Sequence, residues 1–335
     1  MDVKLSTEGK ITMSLEKIRL LSSAVSHIPL IFTFRDSGIT EKYGFQLEVD
    51  IAGFDRQGKP PRPMSERASL LLSGEYEFLS GLHHQTYVYR AKGDKRFVYL
   101  AQTQNSWDDR LIAQSEITSL KQLEGKKILN NGNPAPCVMG NLIEALKDAG
   151  VDASKIEFVS LEETEVKRYL SLDMVARGEV DAADVDIPFD LIARKQGLNV
   201  LQLPDRPVIH NTTICASTDF VRRNEEKVVA FLKALVETIH FFKTERQKVC
   251  EILRRELAPL LHLREDDEVE YLHEQWSRLL LAKPYPHPLA IWNVYNLDVA
   301  GNPDVNFIGP LEIWDTHYLR QIDDSGFIDE LYKAA

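Results

Sequence analysis

Cys137 closes the run Asn131-Gly-Asn-Pro-Ala-Pro-Cys, which lies between a strand-like and a helix-like segment. Backbone N–H groups at a helix start are unpaired and attract anions, and a glycine such as Gly132 lets the backbone approach a ligand closely. Asn131, Asn133 and Cys137 are therefore candidate ligand contacts. The same dipole lowers a thiol pKa, so Cys137 is the candidate nucleophile if the chain is an enzyme. The competing readings are a loop that only turns the chain and a small buried cysteine. Cys215 and Cys250, set among apolar neighbours, read as packed thiols.

His83 and His84 follow Gly81 at a predicted strand end. One of two adjacent histidines can face a cleft, with His84 the catalytic candidate in an enzyme; a surface role at a helix start is the alternative. Asp184 and Asp186 end another predicted strand, where carboxylates suit an amine or hydroxyl ligand or else cap the following helix. Trp107, in Asn105-Ser-Trp-Asp-Asp, has a face for a planar ligand, although packing is the commoner use of an aromatic. His27, in the first loop, and His210 complete the candidate ligand contacts. No further ligands at metal spacing accompany these histidines, and the three cysteines are too scattered for a zinc site or a disulfide framework. No metal and no cofactor is expected.

Such residues need a scaffold that gathers distant loops. Glu16–Ser22 reads as a strand, 28–38 as an apolar helix and 44–51 as an alternating strand, a β-α-β opening that implies parallel pairing. After the Pro- and Gly-rich stretch 56–63, a helix (65–73), a strand (76–79) and a helix (83–92) follow. The pattern restarts with strands at 97–102, 110–113, 127–130, 156–160, 180–185 and 200–203, with helices at 137–149, 166–177 and 189–195 between the later ones. Alternation of this kind argues for mainly parallel sheets flanked by helices. From Glu225 the chain turns helical: 228–257, 266–281, 311–322 and 327–332 carry helical periods. The aromatic, proline-bounded block Trp292 to Trp314, with Tyr295 and Phe307, reads as packing of this tail, or as a roof for a cleft. The restart and the tail predict two lobes, 14–105 with 216–335 and 106–215, crossed near 100–112 and 205–217, with the tail bracing the first lobe.

The 335 residues suit two domains, and a net charge of -11 argues against nucleic-acid binding, which needs clustered Lys and Arg. Charges break every apolar stretch before the roughly 18 residues of a membrane span. The polar segment Met1 to Lys17 lacks the apolar core of a leader, so the expectation is cytoplasmic as written and periplasmic if a leader has been removed.

Four segments in order carry a family resemblance: His27-Ile-Pro-Leu-Ile-Phe, Leu120-Lys-Gln-Leu-Glu-Gly-Lys-Lys-Ile, Val175-Ala-Arg-Gly-Glu-Val-Asp-Ala-Ala, and the run from Ser217 to Ala234. Together they resemble the nitrate, sulfonate and taurine binding proteins and the pyrimidine-precursor synthases, the SsuA/NMT1-like branch of the type II periplasmic-binding-protein superfamily. The resemblance implies an α/β fold of two lobes that close, like a Venus flytrap, on a small organic ligand, anionic or aromatic. It implies an ABC transporter permease as partner if the chain is exported. The alternative is a cytoplasmic enzyme on the same fold, of desulfinase, decarboxylase or pyrimidine-synthase type. The synthases carry a cysteine-rich run where this chain has His210-Asn-Thr-Thr-Ile-Cys-Ala, and a lysine where it has Gly81-Leu-His-His-Gln. Those departures tip the reading toward binding.

Overall fold

This computed structural model describes residues 3–5, 11–13, 15–22, 27–51, 64–107, 109–129, 139–159, 168–209 and 212–333. A short hairpin, β1 (Val3–Leu5) and β2 (Ile11–Met13), precedes two five-stranded sheets. The first sheet holds β3 (Glu16–Ser22), β4 (Phe45–Ile51), β5 (Phe78–Ser80) and β6 (Phe97–Gln102). The chain then leaves to build the second sheet from β7 (Arg110–Ala113), β8 (Lys127–Leu129), β9 (Glu157–Val159), β10 (Ala182–Val185) and β11 (Asn199–Leu201). It returns to lay β12 (Thr213–Ser217) between β5 and β6.

Both sheets are mainly parallel, each with one reversed strand. In the order β4-β3-β5-β12-β6, β12 runs antiparallel to both neighbours; in β11-β7-β10-β8-β9, β7 does. The reversed strand is in each case the first one laid down after a crossing. Both crossings therefore run from the carboxyl end of a strand to the edge of the other sheet where carboxyl ends gather. Between them the two crossing segments pair, with Trp107 N donating to Arg206 O at 3.0 Å and Val208 N to Asn105 O at 3.0 Å.

Strand residues alternate between faces, and the core follows. One face of each sheet contributes to a single apolar cluster that holds Ile18, Leu20, Phe78 and Ile214 of the first sheet and Ile112, Leu129, Ala183 and Val185 of the second. The opposite faces belong to separate clusters: Leu111, Ala113, Ile128 and Ala182 in one, Leu21, Leu79, Tyr99 and Cys215 in the other. The helix Pro288–Gly301 reaches both, giving Ala290, Ile291 and Val294 to the second sheet's cluster and Tyr295 to the first's.

The tail departs from expectation in three places. The helical period 228–257 is two helices, Glu225–Thr244 and Arg246–Glu256, broken at Glu245, whose φ of -106° and ψ of 51° are not helical. Only His317–Asp324 of the expected helix 311–322 is helical; Gly309 and Pro310 open turns, and Ile313 and Asp315 hydrogen-bond Tyr99 beside β6. The helix Pro288–Gly301 lies inside the block read as tail packing, and its first turn is set by Pro288 and by His287 Nδ1, which accepts from Leu289 N. The tail braces more than the first lobe. On the second lobe's other side, helix Asp266–Leu279 docks helix Phe189–Lys195: Tyr271 donates to Asp190 at 2.5 Å, and Lys195 pairs with Glu265 and Asp267.

Candidate functional site

Carboxyl ends of parallel strands are where open α/β sheets present loops to ligands, and the crossings bring the two sets of ends to the same region. On the first sheet this edge is polar and closed to water. Ser22 ends β3, Ser80 ends β5, and the two are paired in register. Both side chains are fully buried, and neither hydroxyl has a hydrogen-bond partner among the described residues. Beside them lie buried Gln102, Thr103, Gln104, Thr212 and Thr213, with Thr213 Oγ1 donating to Gln102 Oε1 at 2.5 Å.

Gly81 N donates to Thr213 O at 3.0 Å and turns the chain out of β5 with φ 129°, a conformation glycine adopts without strain. His83 and His84 follow, both buried, with ring centroids 5.1 Å apart. His84 Nδ1 lies 2.7 Å from Asp298 Oδ1 of the helix Pro288–Gly301. His84 is 5% exposed and Asp298 4%. Burial pushes the Asp298 carboxyl up from its ordinary range, and His84 opposes that rise. On the same helix, Leu297 comes so near Gly140, at the start of a second-lobe helix, that a Cβ there would lie 2.9 Å from Leu297 Cδ2. One turn of the tail helix thus contacts both the His83–His84 loop of the first sheet and the start of the helix Asn141–Asp148.

On the second sheet, Asp184 is buried on β10 and Asp186 follows its end, half-buried. The cap position of the next helix is held by Pro188 and carries no side-chain cap. His27 is half-buried ahead of helix Pro29–Asp36, and its carbonyl accepts from Thr212 Oγ1 at 3.4 Å. Trp107 is 7% exposed and packs in the second sheet's cluster, its Nε1 without a partner among the described residues. Asn131, Asn133, Cys137 and His210 lie outside the described residues. The structure therefore joins His83 and His84 to one polar edge and places Asp184 and Asp186 at the other. Ser22, Ser80 and Asp298 were missed.

Cys215 and Cys250 are packed thiols, and burial raises the Cys215 thiol to about 12. No group of three or more His, Cys, Asp or Glu among the described residues is placed to hold a metal, and no described helix is long and apolar enough to cross a membrane. Two open surface grooves flank helix Glu225–Thr244, one lined by Tyr43, Lys233 and Tyr318, the other by His240, Phe241 and Phe327. Neither includes a strand-end residue.

The NMT1/THI5-like family profile matches residues 51–247. A search of curated proteins returns no match. Among solved structures, a putative periplasmic sulfonate-binding protein SsuA of an ABC transporter from Methylobacillus flagellatus KT is similar, with a TM-score of 0.65, 16% identity and coverage of 95% of this chain and 96% of that one. The periplasmic aliphatic sulphonate binding protein SsuA from Escherichia coli gives a TM-score of 0.63 at 15% identity, covering 90% and 93%. A mutant of DszB in complex with biphenyl-2-sulfinic acid gives 0.65 at 13%, covering 93% and 100%.

Proposed function

The chain belongs to the NMT1/THI5-like family, and from that premise we propose that it is a substrate-binding protein that holds a small organic oxyanion between two lobes. The lobes are 14–105 with 216–335, and 106–215. The observation that carries the reading is the pair of buried hydroxyls, Ser22 and Ser80, at adjoining strand ends, neither with a hydrogen-bond partner among the described residues. Buried polar groups are normally hydrogen-bonded, and orphaned ones at a strand edge suit a ligand. Two hydroxyls at the strand ends, on the edge from which the His83–His84 loop departs, supply donors to an oxyanion. Asp184 and Asp186 on the opposite edge suit a hydroxyl or amine elsewhere on the same molecule. His27, Trp107, Asn131, Asn133, Cys137 and His210 are the further contacts in this proposal. The solved neighbours named for sulfonate binding support the ligand class, and the Methylobacillus flagellatus protein, named as part of an ABC transporter, supports a permease partner if this chain is exported.

The test is calorimetry with ethanesulfonate, 2-hydroxyethanesulfonate, 2-aminoethanesulfonate and the uncharged control ethanol. The three sulfonates should bind, the hydroxyl and amino forms more tightly than ethanesulfonate, and ethanol should not. Ser22→Ala and Ser80→Ala should each weaken binding. Absence of heat with every sulfonate, or wild-type affinity in both serine variants, rejects the reading.

A further inference from the structure

The helix Asp266–Leu279 is tied to both lobes. Toward the first, Arg254 of the helix Arg246–Glu256 pairs with Asp266 at 2.6 Å, and Arg246 pairs with Glu270 at 2.7 Å. His273 stacks on Phe242, and its Nε2 lies 2.8 Å from Phe242 O. Toward the second lobe, Tyr271 donates to Asp190 at 2.5 Å, and Lys195 pairs with Glu265 and Asp267. We infer that the joint between this helix and the helix Phe189–Lys195 is a latch, which holds the lobes closed and admits a ligand only in the fraction of molecules whose joint has parted. The latch deepens the binding reading by naming what controls entry, and it rests on that reading for the ligand class.

Ser22 and Ser80 are closed to water, so an oxyanion that uses them enters only after an opening motion. The two crossings pair with each other and let the lobes turn about them. The joint is made by side chains of helices, so it can part while every strand stays paired.

Asp190 sets the strength of the joint. It is fully buried, and Arg110 at 4.0 Å and Arg194 at 3.9 Å belong to its own lobe and stay with it when the lobes part. Tyr271 is the donor that arrives from the other lobe. Its phenol keeps its proton, because burial and the bond to Asp190 raise it to about 12. Hydrogen bonds to charged groups are the stronger ones, whereas exposed ion pairs are weak. Tyr271 therefore weighs more in the closed form than Lys195, whose acidic partners are exposed.

The experiment measures one distance and one rate. p-Acetylphenylalanine at position 274, exposed on the helix Asp266–Leu279, and at position 147, exposed on the second lobe, takes nitroxide labels and leaves the cysteines native. By pulsed electron paramagnetic resonance, ligand-free wild type should give a single distance. Tyr271→Phe should add a longer one, and saturating 2-hydroxyethanesulfonate should restore the first. In stopped flow, association of that sulfonate should quicken roughly ten-fold in Tyr271→Phe, the effect of losing one hydrogen bond to a charged group. Its Kd should rise less, because the apparent Kd scales inversely with the closed fraction, which stays the larger. Lys195→Ala should move distance and rate in the same direction and less. Ile239→Val, buried on the helix Glu225–Thr244, should lower stability and move neither. A wild-type distance already split in two overturns the latch, as does a Tyr271→Phe protein with the wild-type distance and association rate. If Tyr271→Phe does not fold, Lys195→Ala decides by the same two readings. If no sulfonate binds the wild type, the ligand class is wrong, and the distances alone decide the latch.

Discussion

At the scale of single residues, the orphaned hydroxyls separate stability from binding. Ser80 Oγ is buried without a described partner, so Ser80→Ala should leave the urea-unfolding free energy within about 0.5 kcal/mol, because no hydrogen bond is lost. Its sulfonate affinity should nevertheless fall roughly ten-fold. A destabilisation without a loss of affinity would make the serine structural. The cysteines divide in the same way. Cys215 and Cys250 are buried, with thiols raised by burial, and should alkylate only when the protein unfolds. If the chain is instead an enzyme with Cys137 as its nucleophile, Cys137 should label first in native protein, with an apparent pKa below the roughly 8.5 of a free thiol. Mass spectrometry of a timed iodoacetamide pulse reads all three at once, and native labelling of Cys215 would contradict its placement. His84 was legible in the sequence because it follows a glycine at a strand end. Ser22 and Ser80 left a fainter sign, each closing an apolar strand as Leu-Leu-Ser and Phe-Leu-Ser. Asp298 left none, since its partner lies at the other end of the chain.

At the scale of elements, the strands and most helices of the two sheets were legible within a few residues. Their apolar periods are bounded by glycines, and several such glycines, Gly38, Gly93, Gly125 and Gly197 among them, sit at positive φ where a turn needs it. The helix Pro288–Gly301 was not, for a physical reason. Its buried residues, Ala290, Ile291, Val294, Tyr295 and Asp298, do lie on one stripe, but the apolar Leu289 and Trp292 are exposed on the other side and the stripe itself ends in a carboxylate. The residue types therefore show no helical period to detect. The helix Asp266–Leu279 does have one, and its polar side carries a testable joint. Tyr271 is the donor to Asp190, which is fully buried, and whose Oδ1 has no partner among the described residues. Tyr271→Phe should therefore cost about 1–3 kcal/mol in urea unfolding, the penalty of a buried carboxylate deprived of its donor. Lys195→Ala, a more exposed pairing across the same joint, should cost under about 1 kcal/mol. If the two variants lose equal stability, the joint is not organised around Asp190.

At the scale of the molecule, topology and core give two different descriptions of one protein. The strand orders describe two separate sheets, while the largest apolar cluster draws on both. The sequence carried the first description in its strand–helix restart. It could not carry the second, because which buried faces meet depends on how the finished sheets pack. Unfolding should follow the shared core. Variants that keep only Trp107, in the second sheet's cluster, or only Trp276, in the shared one, should lose their native fluorescence at the same urea concentration. Two distinct midpoints would mean that the lobes unfold independently. The shared helix Pro288–Gly301 also orders events during synthesis. The ribosome makes both sheets before it makes Ala290, Ile291, Val294 and Tyr295, so a nascent chain stopped short of Pro288 leaves part of each outer cluster uncovered. Such surfaces are what chaperones bind and what aggregates form from, and the helix Pro288–Gly301, made after both sheets, ends that exposure.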